Sequence, residues 1–229
     1  MIRELLPPGT AFAELAIDGE PPSLFPDEEL AVVRAVAKRR REFAFGRACA
    51  RRALGIDVAI AVGQGGAPIW PAGYAGSITH TDDYAAAAVV RAGQIGIDVE
   101  SLVHAAKIAE LAATVAKTAG ERALAPALVF SAKESVYKCL YPTAGVFLDF
   151  GDVELAFERS SSAGPRSAPE GKRGGEIDAG EFRVLRASGY APSDVAAIRG
   201  RFAISATHVA TVATLATFST SRAPSTSSP

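Results

Sequence analysis

The sequence predicts an α+β fold in which helices pack on antiparallel strands. Two observations lead to this prediction. Short segments rich in β-branched or small apolar residues follow one another across turn-forming residues, and two longer stretches carry apolar residues at helical spacing. With 229 residues, of which 48% are hydrophobic, the chain can form one large domain or two small ones. No sequence repeat of fixed short period is present.

The first third of the chain contains a proline-rich start and a long basic helix. Residues 1–27 are expected to be mostly irregular, with one short strand at 11–17. Asp27, followed by two glutamates, is a suitable N-cap for a long helix. This helix is expected to end just before Gly55, and Gly46 is the point at which it could be interrupted.

The middle of the chain begins with a loop-rich passage over 56–76. Its glycine-rich run at 63–66 lacks the Lys-Ser/Thr pair that would complete a phosphate-binding P-loop. Strands follow at 76–80 and 84–91, and the second is expected to form a hairpin with a strand at 95–100.

The rest of the chain is predicted to alternate helices with short strands. A helix at about 105–118 precedes a helix carrying 130–141, which Pro142 is expected to end. The remaining expectations are strands at 146–150, 153–157, 182–187, 200–207 and 208–218, a low-complexity insertion at 158–180, and a disordered tail at 219–229.

Composition excludes several classes of partner. The 24 basic residues are balanced by 25 acidic ones, which argues against nucleic acid as a partner. No apolar run is long enough to cross a membrane, and the amino terminus lacks a secretion signal. Cys49 and Cys139 fall in predicted helices and give no disulfide framework. We therefore expect a soluble cytoplasmic protein that binds neither nucleic acid nor membrane.

An acidic strand and a later helix carry the strongest candidate site. Side chains alternate along a strand, so Asp98 and Glu100 point to one face, and Gly96 allows another backbone to approach closely. Glu134 and Lys138 are neighbours at i,i+4 on a helix. If that helix crosses the strand, three carboxylates and an ammonium group meet, which suits a divalent cation beside a phosphate. Taken singly, each pair also fits a solvated strand edge or ordinary helix support.

A basic cluster and one histidine form a second candidate site. Arg39, Arg40 and Arg47 lie on one side of the predicted basic helix, and guanidinium groups match phosphate oxygens well. A solvated helix face is the alternative. His80 ends a predicted strand, where it is either a ligand-binding or a structural histidine. The spacing of cysteine and histidine gives no zinc motif.

Five motifs in this sequence resemble those of the 4′-phosphopantetheinyl transferases of the larger, pseudo-dimeric Sfp/EntD type. They span roughly residues 28–218, in the family's order and with similar spacing. The motifs are RRREFAFGR at 39–47, GSITH at 76–80, GIDVE at 96–100, FSAKESVYK at 130–138 and GVFLDFGDVEL at 145–155.

This resemblance implies two similar α+β halves, 1–93 and 94–218, in a monomer with coenzyme A in the cleft between them. It implies Mg²⁺ held by Asp98, Glu100 and Glu134, with Lys138 at the α-phosphate side of the pyrophosphate. Asp98, Glu134 and Lys138 would be the catalytic residues. The coenzyme A contacts would come from Arg39, Arg40, Arg47, Thr79, His80 and Lys138, and Thr79 stands where many relatives have serine.

The implied reaction transfers phosphopantetheine from coenzyme A to a serine of an acyl or peptidyl carrier protein. Such carriers serve fatty acid, polyketide, nonribosomal peptide and siderophore synthesis. Glu134 is the candidate base for the serine hydroxyl, acting directly or through a metal-bound water. Two alternatives use the same residues: a Mg²⁺-dependent pyrophosphohydrolase acting on coenzyme A or a nucleotide, and a noncatalytic module that binds one of these ligands.

Overall fold

The computed structural model describes residues 1–160 and 177–216. The strands are β1 (Ala11–Ala16), β2 (Ala75–His80), β3 (Tyr84–Val90), β4 (Gln94–Ser101), β5 (Val153–Arg159), β6 (Asp178–Ala187), β7 (Arg199–Ile204) and β8 (His208–Leu215). The α-helices are α1 (Pro26–Val32), α2 (Ala37–Leu54), α3 (Ala105–Glu110), α4 (Ala112–Val115), α5 (Ala119–Arg122), α6 (Pro126–Ala144) and α7 (Pro192–Ala197). Short 3₁₀ turns lie at Ile2–Leu5, Gln64–Gly66 and Leu102–His104.

These elements build two antiparallel sheets, each covered by one long helix. The first sheet has the strand order β1-β3-β2 and packs against α2, and the second has the order β4-β8-β7-β6-β5 and packs against α6. The predicted α+β architecture, with helices on antiparallel strands, is confirmed.

The central strand of the first sheet, β3, is buried on both faces. Its alanines alternate between a core shared with α2 and a core shared with β4. Ile2 and Leu5 of the amino-terminal 3₁₀ turn join the second of these cores. Small side chains on both faces of β3 let the layers above and below it come close.

The edge strands β2 and β4 lie side by side and join the two sheets. Their connection is made by hydroxyl groups instead of a backbone ladder. The Ile97 amide donates to Ser77 Oγ at 3.0 Å, and the Val99 amide donates to Thr79 Oγ1 at 3.0 Å. Both hydroxyl-bearing residues are buried, so these bonds fix the position of one sheet against the other.

The predicted hairpin between 84–91 and 95–100 is wrong. The turn after β3 carries the chain out of the first sheet, and β4 pairs along its whole length with β8, from Gln94 opposite Leu215 to Ser101 opposite His208. Alternation of residue types defines where a strand lies but not which distant strand it pairs with.

The predicted single helix from Asp27 is also wrong, because the chain breaks between α1 and α2. The N-cap is Phe25, and Pro26 takes the first helical position, where its missing N–H costs nothing. Gly46 does not interrupt α2. It faces the first sheet, where an added Cβ would come within 2.9 Å of Ile78 Cγ2.

Three further boundaries differ from prediction. Pro142 lies inside the last turn of α6, which ends at the left-handed Gly145. A proline so close to the helix end removes one hydrogen bond without breaking the helix. The expected helix at 105–118 is divided into α3 and α4, and the expected strand at 146–150 is a loop. Helices α5 and α7 were not predicted.

Other predictions fall partly or wholly outside the described residues. Within the predicted insertion, residues 158–159 end β5 and 178–180 begin β6, whereas 161–176 lie outside the described residues, as does the predicted tail at 219–229. Cys49 and Cys139 are buried free thiols. No helix in the described part of the chain is long and apolar enough to span a membrane.

Candidate functional site

A cleft of about 420 Å³ lies where the two sheets meet. Helix α2 and strand β2 form one side, and β4 and α6 form the other. The residues predicted for the two candidate sites line this cleft together: Arg39, Arg47, Thr79, His80, Asp98, Glu100, Glu134 and Lys138. Arg40 does not line it. Its guanidinium donates to the Val32 carbonyl at 3.4 Å.

Gly96 brings the acidic strand and α6 together. A Cβ on this residue would lie 1.9 Å from the Ser135 carbonyl oxygen and 2.6 Å from the Cys139 amide. The helix can therefore cross β4 only at a glycine, as the sequence predicted. This crossing places Asp98 beneath Lys138, whose ammonium donates to Asp98 Oδ1 at 2.6 Å.

The second oxygen of Asp98, Oδ2, is buried and has no hydrogen-bond partner within the described residues. A buried carboxylate oxygen without a donor is costly, and such an orphan points to a missing cation or proton.

The surroundings of the other two carboxyl groups, Glu100 and Glu134, also disfavour their ionised forms. Burial and the neighbouring charge of Asp98 raise the pKa of Glu100 to about 8, although Lys138 opposes the shift. Burial is also the main cause of the raised pKa of Glu134. Burial lowers the pKa of Lys138, but the pull of Asp98 outweighs it, so the net pKa of Lys138 is raised. This end of the cleft therefore holds more negative charge than one lysine balances.

The donor set at this end fits a hard divalent cation, which prefers carboxylate oxygens. The orphaned oxygen of Asp98 and the raised pKa of Glu100 both indicate a site that is short of positive charge. Within the part of the chain that is described, no three His, Cys, Asp or Glu side chains form a ready-made metal-binding group. The carboxylates thus match a cation in their chemistry but do not form a closed cage around one.

The part of the cleft lined by α2 and β2, which we call its basic end, carries Arg39 and Arg47. The Arg39 guanidinium contacts His80 Nε2, and a guanidinium can only donate. Nε2 is therefore the acceptor and the proton lies on Nδ1, which is 3.6 Å from Glu42 Oε2. Burial, followed by the charges of Arg39 and Lys138, lowers the pKa of His80 to about 4. His80 is neutral in this state, and Arg39 is its exposed partner.

Arg47 of α2 also lines the cleft and is only 5% exposed. Its Nε donates to the Ile60 carbonyl at 2.7 Å, and its guanidinium lies 4.2 Å from the ring centre of Phe43. Burial lowers its pKa to about 10. Part of this arginine is therefore committed to holding α2 against the loop at Ile60, unlike the exposed Arg39.

The sequence analysis missed the aromatic wall of the cleft. Phe130, Tyr137 and Tyr141 project from the same side of α6 as Glu134. The hydroxyl of Tyr141 lies 2.1 Å from where a Cβ on the left-handed Gly65 would be, so the loop at 64–66 can line the cleft beside Tyr141 only with glycine at position 65. The helical spacing of these aromatic residues was the signal that could have found them. The sequence analysis also missed Glu42, the neighbour of His80 Nδ1. No sequence pattern indicated it.

The fold and the cleft define a class of protein: two antiparallel sheets, each with one long helix, and a charged cleft at their junction. Sequence comparison gives the family. Residues 27–90 match the model described as the 4′-phosphopantetheinyl transferase N-terminal domain, and residues 94–179 match the 4′-phosphopantetheinyl transferase superfamily.

Individual relatives agree with these matches. The chain is 39% identical over 173 residues to the 4′-phosphopantetheinyl transferase Npt of Nocardia iowensis, covering 69% of this chain and 77% of Npt. It is 40% identical to Svp of Streptomyces mobaraensis, over 69% of this chain and 72% of Svp. It is 35% identical to PptT of Mycobacterium tuberculosis, over 68% of this chain and 77% of PptT. All three carry the name 4′-phosphopantetheinyl transferase.

The chain belongs to the 4′-phosphopantetheinyl transferase superfamily and is an enzyme of the Sfp/EntD type. The resemblance inferred from the five motifs is confirmed.

Proposed function

We propose that this enzyme transfers 4′-phosphopantetheine from coenzyme A to a serine hydroxyl of an acyl or peptidyl carrier protein. The reaction depends on Mg²⁺ and releases adenosine 3′,5′-bisphosphate. The observation that supports this most strongly is one cleft with a basic end at Arg39 and an acidic end at Asp98. Coenzyme A carries a 3′-phosphate and a diphosphate, which require these two kinds of site.

The basic end is proposed to bind the 3′-phosphate. Arg39 is exposed and its present partner, His80, is neutral, so its guanidinium can turn to a phosphate at small cost. Arg47 is proposed to donate to the same phosphate through its terminal N–H groups, because only its Nε is used by the Ile60 carbonyl. Thr79 is proposed to act indirectly, because its hydroxyl accepts the Val99 amide. Arg40, which lies outside the cleft lining, is left out of the proposed clamp.

The acidic end is proposed to hold Mg²⁺ between Asp98, Glu100 and Glu134. A cation bound there would neutralise charge on the diphosphate. The binding of a cation would also give Asp98 Oδ2 a partner. Its positive charge would lower the raised pKa of Glu100 and so favour the ionised form.

The proposed reaction is attack of the serine oxygen on the β-phosphorus of coenzyme A. Glu134, which faces the cleft beside Lys138, accepts the hydroxyl proton, directly or through a bound water. The new bond joins serine oxygen to the β-phosphorus as the bond from that phosphorus to the bridging oxygen breaks. The leaving adenosine 3′,5′-bisphosphate keeps the electron pair, and Lys138 is placed to stabilise the negative charge.

The two sheets suggest a division of the enzyme into halves at 1–93 and 94–218, acting together as a monomer. Each half contributes one side of the cleft, so neither is complete alone. The amino-terminal 3₁₀ turn is an exception, because Ile2 and Leu5 pack with residues of the second sheet.

The test is the intact mass of an apo carrier protein after incubation with the enzyme, coenzyme A and Mg²⁺. A gain of one phosphopantetheine that disappears with EDTA supports the proposal. Coenzyme A cleavage with no mass gain on any of several carriers would instead indicate a pyrophosphohydrolase. A control without enzyme excludes spontaneous modification of the carrier.

A further inference from the structure

Two buried glutamates occupy equivalent places in the two parts of the fold. Glu28 is the third residue of α1 and Glu121 the third residue of α5, and both are 0% exposed. Each short helix precedes one of the long helices. Each glutamate accepts the amide of its own N-cap residue and an amide from the segment beyond the long helix, Ile60 in one case and Leu155 in the other.

Each glutamate also binds one cation from the adjacent long helix. Arg51 of α2 donates to both oxygens of Glu28 at 2.8 and 2.9 Å. Lys133 of α6 donates to Glu121 at 3.1 Å. The same device therefore ties each long helix to the segments before and after it.

Lys133 is the more constrained of the two cations. It is 2% exposed, and an ammonium has three N–H groups. Besides Glu121, they meet the Val115 carbonyl at 2.9 Å and the Phe150 carbonyl at 2.9 Å. Its three acceptors come from the end of α4, from α5 and from the loop before β5. All donors are used, so the direction of the side chain is fixed.

This fixed side chain is next to Glu134 in sequence. Successive helical residues point about 100° apart, so Lys133 enters the protein where Glu134 faces the cleft. Glu134 also borders a second, smaller cavity of about 100 Å³, whose opposite wall includes Phe147, Leu148 and Phe150. Lys133 holds that wall through the Phe150 carbonyl. It therefore sets the roll of α6 and the loop facing Glu134 at once.

The pair in the first sheet's half adjoins no proposed catalytic residue. Arg51 also contacts the Ser23 carbonyl at 2.9 Å and Asp57 at 3.6 Å, and none of these three residues lines the cleft. A buried ion pair gives little net stability over apolar residues of equal volume, but breaking one by removing a partner is costly. Both pairs should thus matter for stability. The Glu28 pair also holds Ile60, whose carbonyl accepts Arg47 Nε, so it bears on coenzyme A binding. Only the Lys133 pair adjoins the proposed base.

We propose that Lys133, held by Glu121, Val115 and Phe150, is a positioning residue that fixes Glu134 for proton transfer. It acts through the helix and the loop and does not touch the substrate. This inference rests on the proposed function of Glu134, because it names what keeps that carboxylate in place.

The test compares Lys133→Met with Arg51→Met, both measured well below the lower of the two Tm values. Both variants should lose about 10 °C in Tm. Lys133→Met should lower kcat about 10–100-fold, as expected from a small misplacement of a catalytic group. Its dissociation constant for coenzyme A should stay within about twofold, because the basic end is untouched. Arg51→Met should keep kcat within about twofold.

A separate readout is amide hydrogen exchange, which should rise over 147–153 in Lys133→Met and not in Arg51→Met.

If Lys133→Met does not fold, Glu121→Gln takes its place, since it keeps the two carbonyl acceptors of Lys133. This variant should lower kcat about 3–10-fold.

A folded Lys133→Met enzyme with wild-type kcat would overturn the proposal, as would equal loss of kcat in both methionine variants. In the absence of the folded methionine variant, wild-type kcat in Glu121→Gln would do the same. These results differ from failure of the proposed function, in which the wild-type enzyme itself would transfer nothing.

Discussion

The two sides of the cleft are built alike but offer different chemistry. On each side a long helix packs on a sheet, a glycine lies at the closest helix–strand crossing, and a buried glutamate anchors the helix. The first side presents the exposed guanidinium of Arg39 beside a neutral His80. The second presents partly buried carboxylates around Lys138. Exposed charge suits reversible binding, whereas buried and perturbed charge suits catalysis.

This difference predicts that the two sides separate in kinetics. Changes on the first side should weaken coenzyme A binding, and changes on the second should slow turnover. The hydroxyls of Ser77 and Thr79 that join β2 to β4 hold the two sides at a fixed separation. The following predictions test that separation, beginning with the largest expected effect.

Glu134→Gln should lower kcat about 10²–10⁴-fold, because it removes the proposed base while keeping the shape of the side chain. The measurement is the initial rate of carrier modification at saturating coenzyme A. Glu29→Gln, at an exposed position on α1, is the control and should behave as wild type. If Glu134→Gln changed only KM, the assignment of catalysis to the second side would fail.

Gly96→Ala should destabilise the protein by more than about 3 kcal/mol, whereas Gly46→Ala should cost about 1 kcal/mol or less. A Cβ at Gly96 would meet the backbone of Ser135 at 1.9 Å, but at Gly46 it would meet only one side-chain atom, the Cγ2 methyl of Ile78, at 2.9 Å. Urea unfolding measures both. Gly120→Ala, where the nearest atom is 3.9 Å away, is the neutral control. Equal losses at the two crossings would show that they are equivalent.

Arg39→Ala should raise the dissociation constant of coenzyme A about 10–100-fold with kcat little changed, because a charge-assisted hydrogen bond to phosphate is lost. Calorimetric titration measures the affinity, and dephospho-coenzyme A provides an internal check. That ligand lacks the 3′-phosphate, so the variant and the wild type should bind it about equally. Arg34→Ala, at another exposed position, controls for general charge loss. Unchanged affinity in Arg39→Ala would remove the basic end from the proposal.

The smallest expected effect concerns pH. His80 has a pKa of about 4 in the folded protein against an ordinary value of 6.5. Between these values the unfolded chain binds more protons, so stability falls as pH falls through this window. His80→Gln removes that loss. The Tm of the variant minus that of the wild type should therefore rise by about 5 °C between about pH 7 and pH 4.5. A difference independent of pH would show that His80 is not held neutral by its surroundings.

Local sequence pattern predicted much of the site. Strand alternation placed Asp98 and Glu100 on one face, helical spacing paired Glu134 with Lys138, and Gly96 indicated the crossing between them. The pattern failed for Arg40, because helical phase gives the side of a helix and not the depth of a cleft. It also gave no indication of Glu42, which matters only because β2 brings His80 beside it.

The sequence by itself determined the strand and helix segments near the site, the charge of each and the family. The tertiary structure decided the partners: β4 pairs with β8 and not with its neighbour β3, and Lys133 meets carbonyls from two segments distant in sequence. The reason is physical. Periodicity and propensity act over a few residues, whereas strand pairing and buried hydrogen bonds depend on contacts between segments that only the folded chain brings together.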